Sequence, residues 1–141
     1  MLSSTKQFID TLEANNTKYT VGEPTQSGKD TMIVSYGGKN MPSSRCKFFF
    51  DTDCESVAIR VFDIVKIPED KVAAMYPVVN AINSKFRFAK FCIDTDDNTV
   101  QAEMDSAFRS HDVGEICREL LLRCVSICDD AYPDLMKALW A

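Results

Sequence analysis

Histidine is almost missing from this sequence: His111 is the only one among 141 residues. With no second imidazole and no C-x2-C pair, a zinc site has no way to complete four ligands. Apolar runs are short, and none approaches the roughly 18 residues that a membrane-crossing helix needs. Met1 to Gln7 holds no charged stretch followed by an apolar run, so no secretory signal is expected there. Glycine and proline are scarce, with five of each, which speaks against disorder. A basic surplus is lacking as well. Net charge is −5 and the pI about 4.8, so neither nucleic acid nor an anionic membrane is expected as a partner, since both are bound by clustered Lys and Arg.

What is present describes a folded domain. Hydrophobic residues make up 45% and charged residues 26% of the chain, a length and composition that suit one domain over residues 1–141. A chain of this size buries roughly 68–70% of its unfolded surface and needs no disulfide or metal staple. There are six cysteines. Cys92, Cys117, Cys124 and Cys128 sit within apolar-periodic segments and read as small core residues. Together with Cys46 and Cys54 they are expected as reduced thiols in a cytoplasm.

The periodicities give an element order. Ser4-Thr5-Lys6-Gln7 fits a capping box at the start of a first helix with Phe8, Ile9 and Leu12 on its apolar stripe. Short strands follow over Tyr19–Val21, Thr31–Tyr36, Arg45–Phe50 and Ser56–Phe62. Pro68 suits the first position of a second helix, because its missing N–H would be unpaired there. Pro77 should kink that helix. Phe86–Ile93 and Thr99–Asp105 form a hairpin around Asp94-Thr95-Asp96-Asp97-Asn98. Val113, Ile116, Cys117, Leu120, Leu121, Cys124, Ile127 and Cys128 then step by three and four in a last helix, which Pro133 should bend or restart. The fold class is therefore α+β: an antiparallel sheet with helices packed on one face, in the order α-β-β-β-β-α-β-β-α.

The other sheet face draws attention. Adjacent residues of a strand point to opposite faces, so Lys47-Phe48-Phe49-Phe50 must place a Phe on each. Phe86 and Phe88 oppose Phe91 and Ile93 on the same logic. A second face this apolar calls for a cover, and a second subunit is the plain candidate.

Motifs of reactive chemistry fail on inspection. Gly22 to Lys29 has one residue too many for a phosphate loop, and Asp30 stands where Ser or Thr belongs. Asp94 to Asp105 has Thr99 where a calcium loop needs Gly. Asp51-Thr52-Asp53 repeats the D-T-D pattern, so both read as turns in which Asp caps its own backbone. His111 lies between Ser110 and Asp112 just ahead of a helix, and reads as a surface residue rather than the base of a cysteine nucleophile. No catalytic residue, metal or cofactor is expected. Asn80 and Asn83 are the odd polar pair, on neighbouring faces of an apolar helix. Asn is a weak helix former. The pair either satisfies a loop or strand end, or contacts a partner or ligand.

Several segments resemble the YbjN-domain family: Phe49-Phe50-Asp51, Val57-Ala58-Ile59-Arg60-Val61, Ile67-Pro68-Glu69, Val79-Asn80-Ala81-Ile82-Asn83, Phe88-Ala89-Lys90-Phe91 and Tyr132-Pro133-Asp134-Leu135-Met136-Lys137. Members are labelled bacterial sensory-transduction regulators. The resemblance implies a fold similar to that of class I type III secretion chaperones, an α+β sandwich that commonly dimerises, and it carries over no catalytic residue. The function expected is a non-enzymatic protein-interaction module, chaperone-like or a regulatory adaptor. It would bind itself as a homodimer, and in addition another protein. The alternatives are a small-ligand sensor with a pocket between helix and sheet near Asn80 and Asn83, and an enzyme using Cys and His111.

Overall fold

The computed structural model describes residues 1–109 and 111–141. It runs α1 (Ser3–Ala14), β1 (Thr20–Val21), β2 (Asp30–Tyr36), β3 (Ser44–Phe50), β4 (Ser56–Lys66), a single 3-10 turn (Glu69–Lys71), α2 (Val72–Lys85), β5 (Lys90–Asp94), β6 (Thr99–Ala107) and α3 (Val113–Leu139). The strands make one six-stranded sheet ordered β1-β2-β3-β4-β6-β5, and every neighbouring pair is antiparallel. The α+β class and the order of elements are those the periodicities imply.

All three helices serve one face. α3 crosses β3, β4 and β6, α1 packs on α3, and α2 packs on β5 and α3. Alternation sends Met32 and Val34, Cys46, Phe48 and Phe50, and Val57, Ile59 and Val61 inward from β2, β3 and β4. The rings of Phe8, Phe48 and Phe50 meet at centroid separations of 4.7, 6.0 and 6.1 Å, spacings at which aromatic pairs attract. Each such side chain contributes about 1.5–3 kcal/mol on burial before its entropy loss.

Several local expectations need correction. Ser4 does not cap α1. The helix starts at Ser3, and Ser4 lies inside it, wholly buried. Capping comes from far along the chain: Asp30 Oδ2 accepts the Leu2 N–H at 2.8 Å and the Thr5 hydroxyl at 2.7 Å. Pro68 precedes the 3-10 turn, and α2 proper starts four residues later. β4 extends beyond Phe62 through a bulge between Val61 and Val65, where Asp63 takes φ of +53°. Phe86 and Phe88 lie before β5, so they do not oppose Phe91 and Ile93 across the sheet, and Phe91 and Ile93 share one face. Cys46 is buried with Cys117, Cys124 and Cys128, whereas Cys92 is half-buried on the opposite face.

Pro133 does not restart α3, which continues through it to Leu139. A proline has no N–H for the carbonyl four residues earlier, here that of Asp129. Asn40 Nδ2 donates to this carbonyl instead, at 3.2 Å. Asp129 Oδ1 accepts the N–H groups of Asn40 and Met41, both at 2.9 Å. The β2–β3 loop is thereby latched to α3. Gly38 is required at its tip, because a Cβ there would overlap Asp129 Oδ1 and stand 2.6 Å from the Met41 carbonyl oxygen.

Candidate functional site: the open face of the sheet

With the helices on one side, the other face of the sheet faces solvent. Register aligns one residue from every strand in a row across it: Thr20, Ile33, Lys47, Arg60, Glu103 and Lys90. A parallel row holds Thr31, Phe49, Ala58 and Asp105. This face is not the apolar one that the aromatics suggested. Phe49 does point outward while Phe48 and Phe50 point in, and Ile33 and Phe62 join it. Charged side chains stand between them.

The charges are segregated. Arg45 and Lys47 on β3 and Lys18 ahead of β1 give one half a positive sign. Among the described residues none of the three forms an ion pair, and the Lys47 ammonium lies 5.1 Å from the Phe49 ring centroid. Glu103 and Asp105 give β6 a negative sign, and Lys90 stands beyond them on the edge strand β5. Arg60, on β4 between the halves, is anchored on Glu103 at 3.0 Å and Asp105 at 2.6 Å. Burial opposes its charge, but the two carboxylates prevail and hold its pKa above the usual arginine value. The Cys92 thiol donates to Glu103 Oε2 at 3.6 Å, and burial together with that carboxylate pushes it up to about 11. Two grooves flank Arg45. One of about 740 Å³ is bordered by Lys18, Tyr19 and Ser35, and the other, of about 420 Å³, by Lys47, Phe62 and Asp63, with Ile33 shared.

Asn80 and Asn83 do not belong to this face. Asn83 closes the outer edge of β5: its Oδ1 accepts the Phe91 N–H at 2.7 Å and its Nδ2 donates to the Phe91 carbonyl at 2.9 Å. The side-chain amide thus stands in for a neighbouring strand at an edge that would otherwise expose both groups. The Asn80 side chain is exposed, and its backbone carbonyl accepts the Ser84 hydroxyl. The two acidic turns behave alike. Asp53 Oδ1 accepts the Glu55 N–H and Asp94 Oδ1 the Asp96 N–H, each at 2.9 Å, and Cys54 and Asn98 take left-handed backbone with φ of +60° and +56°. His111 is exposed ahead of α3, and its neighbour Ser110 lies outside the described residues.

Two features escaped the sequence reading. Phe88 has φ of +71°, a conformation an aromatic residue rarely adopts, and it is exposed beneath the Arg123 guanidinium, 4.4 Å from its ring centroid. Cys54, half-buried in the β3–β4 turn, has its thiol held below its ordinary range, with Ser3 at the start of α1 as the first cause. Neither leaves a sequence signal, because both depend on residues distant in the chain.

The sequence matches no family model and no curated protein. Among solved structures, the fold is similar to that of YbjN from E. coli, described as "a putative transcription regulator". The two superpose with a TM-score of 0.57 over 90% of each chain at 10% sequence identity. At that identity the likeness is one of fold: this is an α+β chain with a YbjN-like architecture. Among the described residues, no helix is long and apolar enough to cross a membrane.

Proposed function

We propose that this chain is a non-enzymatic protein-interaction module, a chaperone-like or regulatory adaptor that works as a homodimer through the open face of its sheet. The observation that carries this reading is the charge segregation of that face. A two-fold axis lying along β4 would set β3 of one copy over β6 of the other. Lys47 and Glu103 share the row that crosses β4 at Arg60, so Lys47 would then meet Glu103 twice over, in the self-complementary manner of an isologous interface. Arg60, near the axis, is already neutralised within its own chain. Ile33, Phe49 and Phe62 supply apolar contacts between the charged pairs. The regulatory description of E. coli YbjN accords with an adaptor role.

Such a dimer buries on the order of 800 Å² per partner. Sedimentation equilibrium at micromolar concentration should give a dimer that weakens as salt is raised. Lys47→Glu and Glu103→Lys chains should each be monomeric alone, because each faces like charge in its own pairing. Mixed together they should form a heterodimer with both contacts restored. A parent chain that stays monomeric, with no other protein bound when it is isolated from its native host, refutes the proposal.

A further inference from the structure

The link between α2 and β5 is pinned at both ends. The Phe86 N–H donates to the Ile82 carbonyl at 3.1 Å, and the Lys90 ammonium reaches back to the Asn83 and Phe86 carbonyls, each at 2.7 Å. Between these anchors the Ala89 N–H donates to the Arg87 carbonyl at 2.9 Å, and Phe88 takes φ of +71°. A hydrogen bond that spans one residue of positive φ makes a γ-turn of the rare, strained kind. Strain of this sort clusters at ligand clamps, where the surrounding structure holds it in place.

The side chain at the apex does not offset that strain through the core. Phe86 is half-buried and packs on the core, and Ala89 is wholly buried, whereas the Phe88 ring is 46% exposed and lies outside the core cluster. Its neighbours are cations. The guanidinium of Arg123 on α3 lies 4.4 Å from the ring centroid and that of Arg87 5.2 Å, distances at which cations attract an aromatic face. Glu119 pairs with Arg123 at 3.0 Å, and Asp134 with Lys85 at 3.7 Å. Arg87 and Lys90 form no ion pair among the described residues. The turn thus carries a positive excess on a chain whose net charge is −5. Lys85 also borders an apolar groove of about 370 Å³, lined by Pro77, Val78, Ala81 and Ile82 of α2 with Asp134 of α3.

We propose that this surface is a docking site for an acidic amphipathic segment of a partner protein. A partner carboxylate pairs with the free Arg87 guanidinium. One partner apolar side chain covers the Phe88 ring, and another enters the groove beside Lys85. Aromatic and Arg side chains held ready in this way are the usual anchors of protein contacts. The proposal deepens the adaptor reading and rests on it: the dimer uses the open face of the sheet, and this surface, set against α3 on the helix side, stays free for the other protein. Single-stranded nucleic acid also stacks on aromatic and Arg groups. Here, however, the Glu119 and Asp134 carboxylates stand beside the cations and oppose a phosphate backbone.

The probe is a fluorescein-labelled peptide of about 14 residues with Leu at helical spacing and Glu elsewhere, titrated with the full chain by fluorescence anisotropy. It should bind, and weaken as salt is raised. Its counterpart with Lys for every Glu, and a labelled oligothymidylate, should not bind. Arg87→Glu should fold normally, since the side chain is exposed and pairs with no carboxylate, and should weaken binding at least about tenfold. Phe88→Gly keeps the turn, because Gly takes positive φ freely. It should melt close to the parent and bind the peptide several-fold more weakly. Both variants should sediment as the parent does, so loss of peptide binding by a dimeric chain strikes this surface and leaves the open-face dimer standing. No binding of the acidic peptide, tighter binding of oligothymidylate, undiminished binding by Arg87→Glu, or a Phe88→Gly chain that melts well below the parent overturns the proposal.

Discussion

Gly114 is a point of close approach between α1 and α3, and adding one methyl group there tests the packing that sets α1 in place. A Cβ at this position would overlap Thr11 Oγ1, stand 3.0 Å from Thr11 Cβ and lie 2.8 Å from the Gln7 carbonyl oxygen. The Thr11 hydroxyl is itself bonded to that carbonyl at 3.2 Å, and Gln7 O is backbone within α1, so it moves only with the helix. Gly114→Ala should therefore separate the helices and destabilise the fold by about 1–3 kcal/mol, the usual cost of overpacking. Glycine in a helix interior is disfavoured by up to about 1 kcal/mol relative to alanine, but Gly114 is only the second residue of α3, where that gain is smaller. For a chain of this length the melting temperature should fall by roughly 3–4 °C per kcal/mol, read by calorimetry or urea titration. Thr11→Ala in the same chain should recover part of the loss, leaving the Gln7 contact, with a coupling of about 0.5 kcal/mol or more. A Gly114→Ala chain as stable as the parent, or strict additivity with Thr11→Ala, refutes the reasoning.

Two further outcomes are expected. Burial tends to raise the Asp30 carboxyl, but the Leu2 N–H and the Thr5 hydroxyl outweigh it and lower its pKa. A lowered folded-state pKa contributes stability that is present above the unfolded value of about 4 and lost as pH falls through the folded value. Unfolding midpoints should thus be flat near neutrality and decline below about pH 4, and Asp30→Asn should be less stable at pH 7 and show a shallower acid decline. Asn83→Ala should leave the Phe91 N–H and carbonyl unpaired at a sheet edge, costing about 1–3 kcal/mol. Hydrogen exchange at the Phe91 amide should accelerate more than at the β3 and β4 amides, and equal protection in variant and parent would refute the edge-closing role.

Much of the fold was legible in the residues. Alternation along Arg45–Phe50 and Ser56–Phe62 marks strands because side chains of an extended chain switch sides at every residue. The three-and-four spacing from Val113 to Cys128 marks α3 for the equivalent helical reason. The D-T-D turns were readable as self-capping because Asp acts on its own backbone two residues on. What failed was long-range. Ser4 looked like a cap, but Asp30, distant in sequence, supplied better geometry. Pro133 looked like a break, yet Asn40 satisfies the carbonyl it frees. Cys92 was read as core but lies half-buried on the open face, because Phe91 and Ile93 take the inward positions of β5. Asn83 was rightly singled out as needing a partner, and the structure supplies Phe91.

The sequence by itself determined the order of helices and strands and the apolar stripe of α3, since those follow from backbone periodicity within a few residues. Tertiary structure alone decided the rest. Register between β3, β4 and β6 sorted the charges of the open face into two halves. The packing of the β2–β3 loop on α3 brought Asn40 to the Asp129 carbonyl, 89 residues away in the chain, which Pro133 leaves without its helical donor. The physical reason is the same in both cases: a hydrogen bond or an ion pair depends on through-space distance, which local periodicity does not encode.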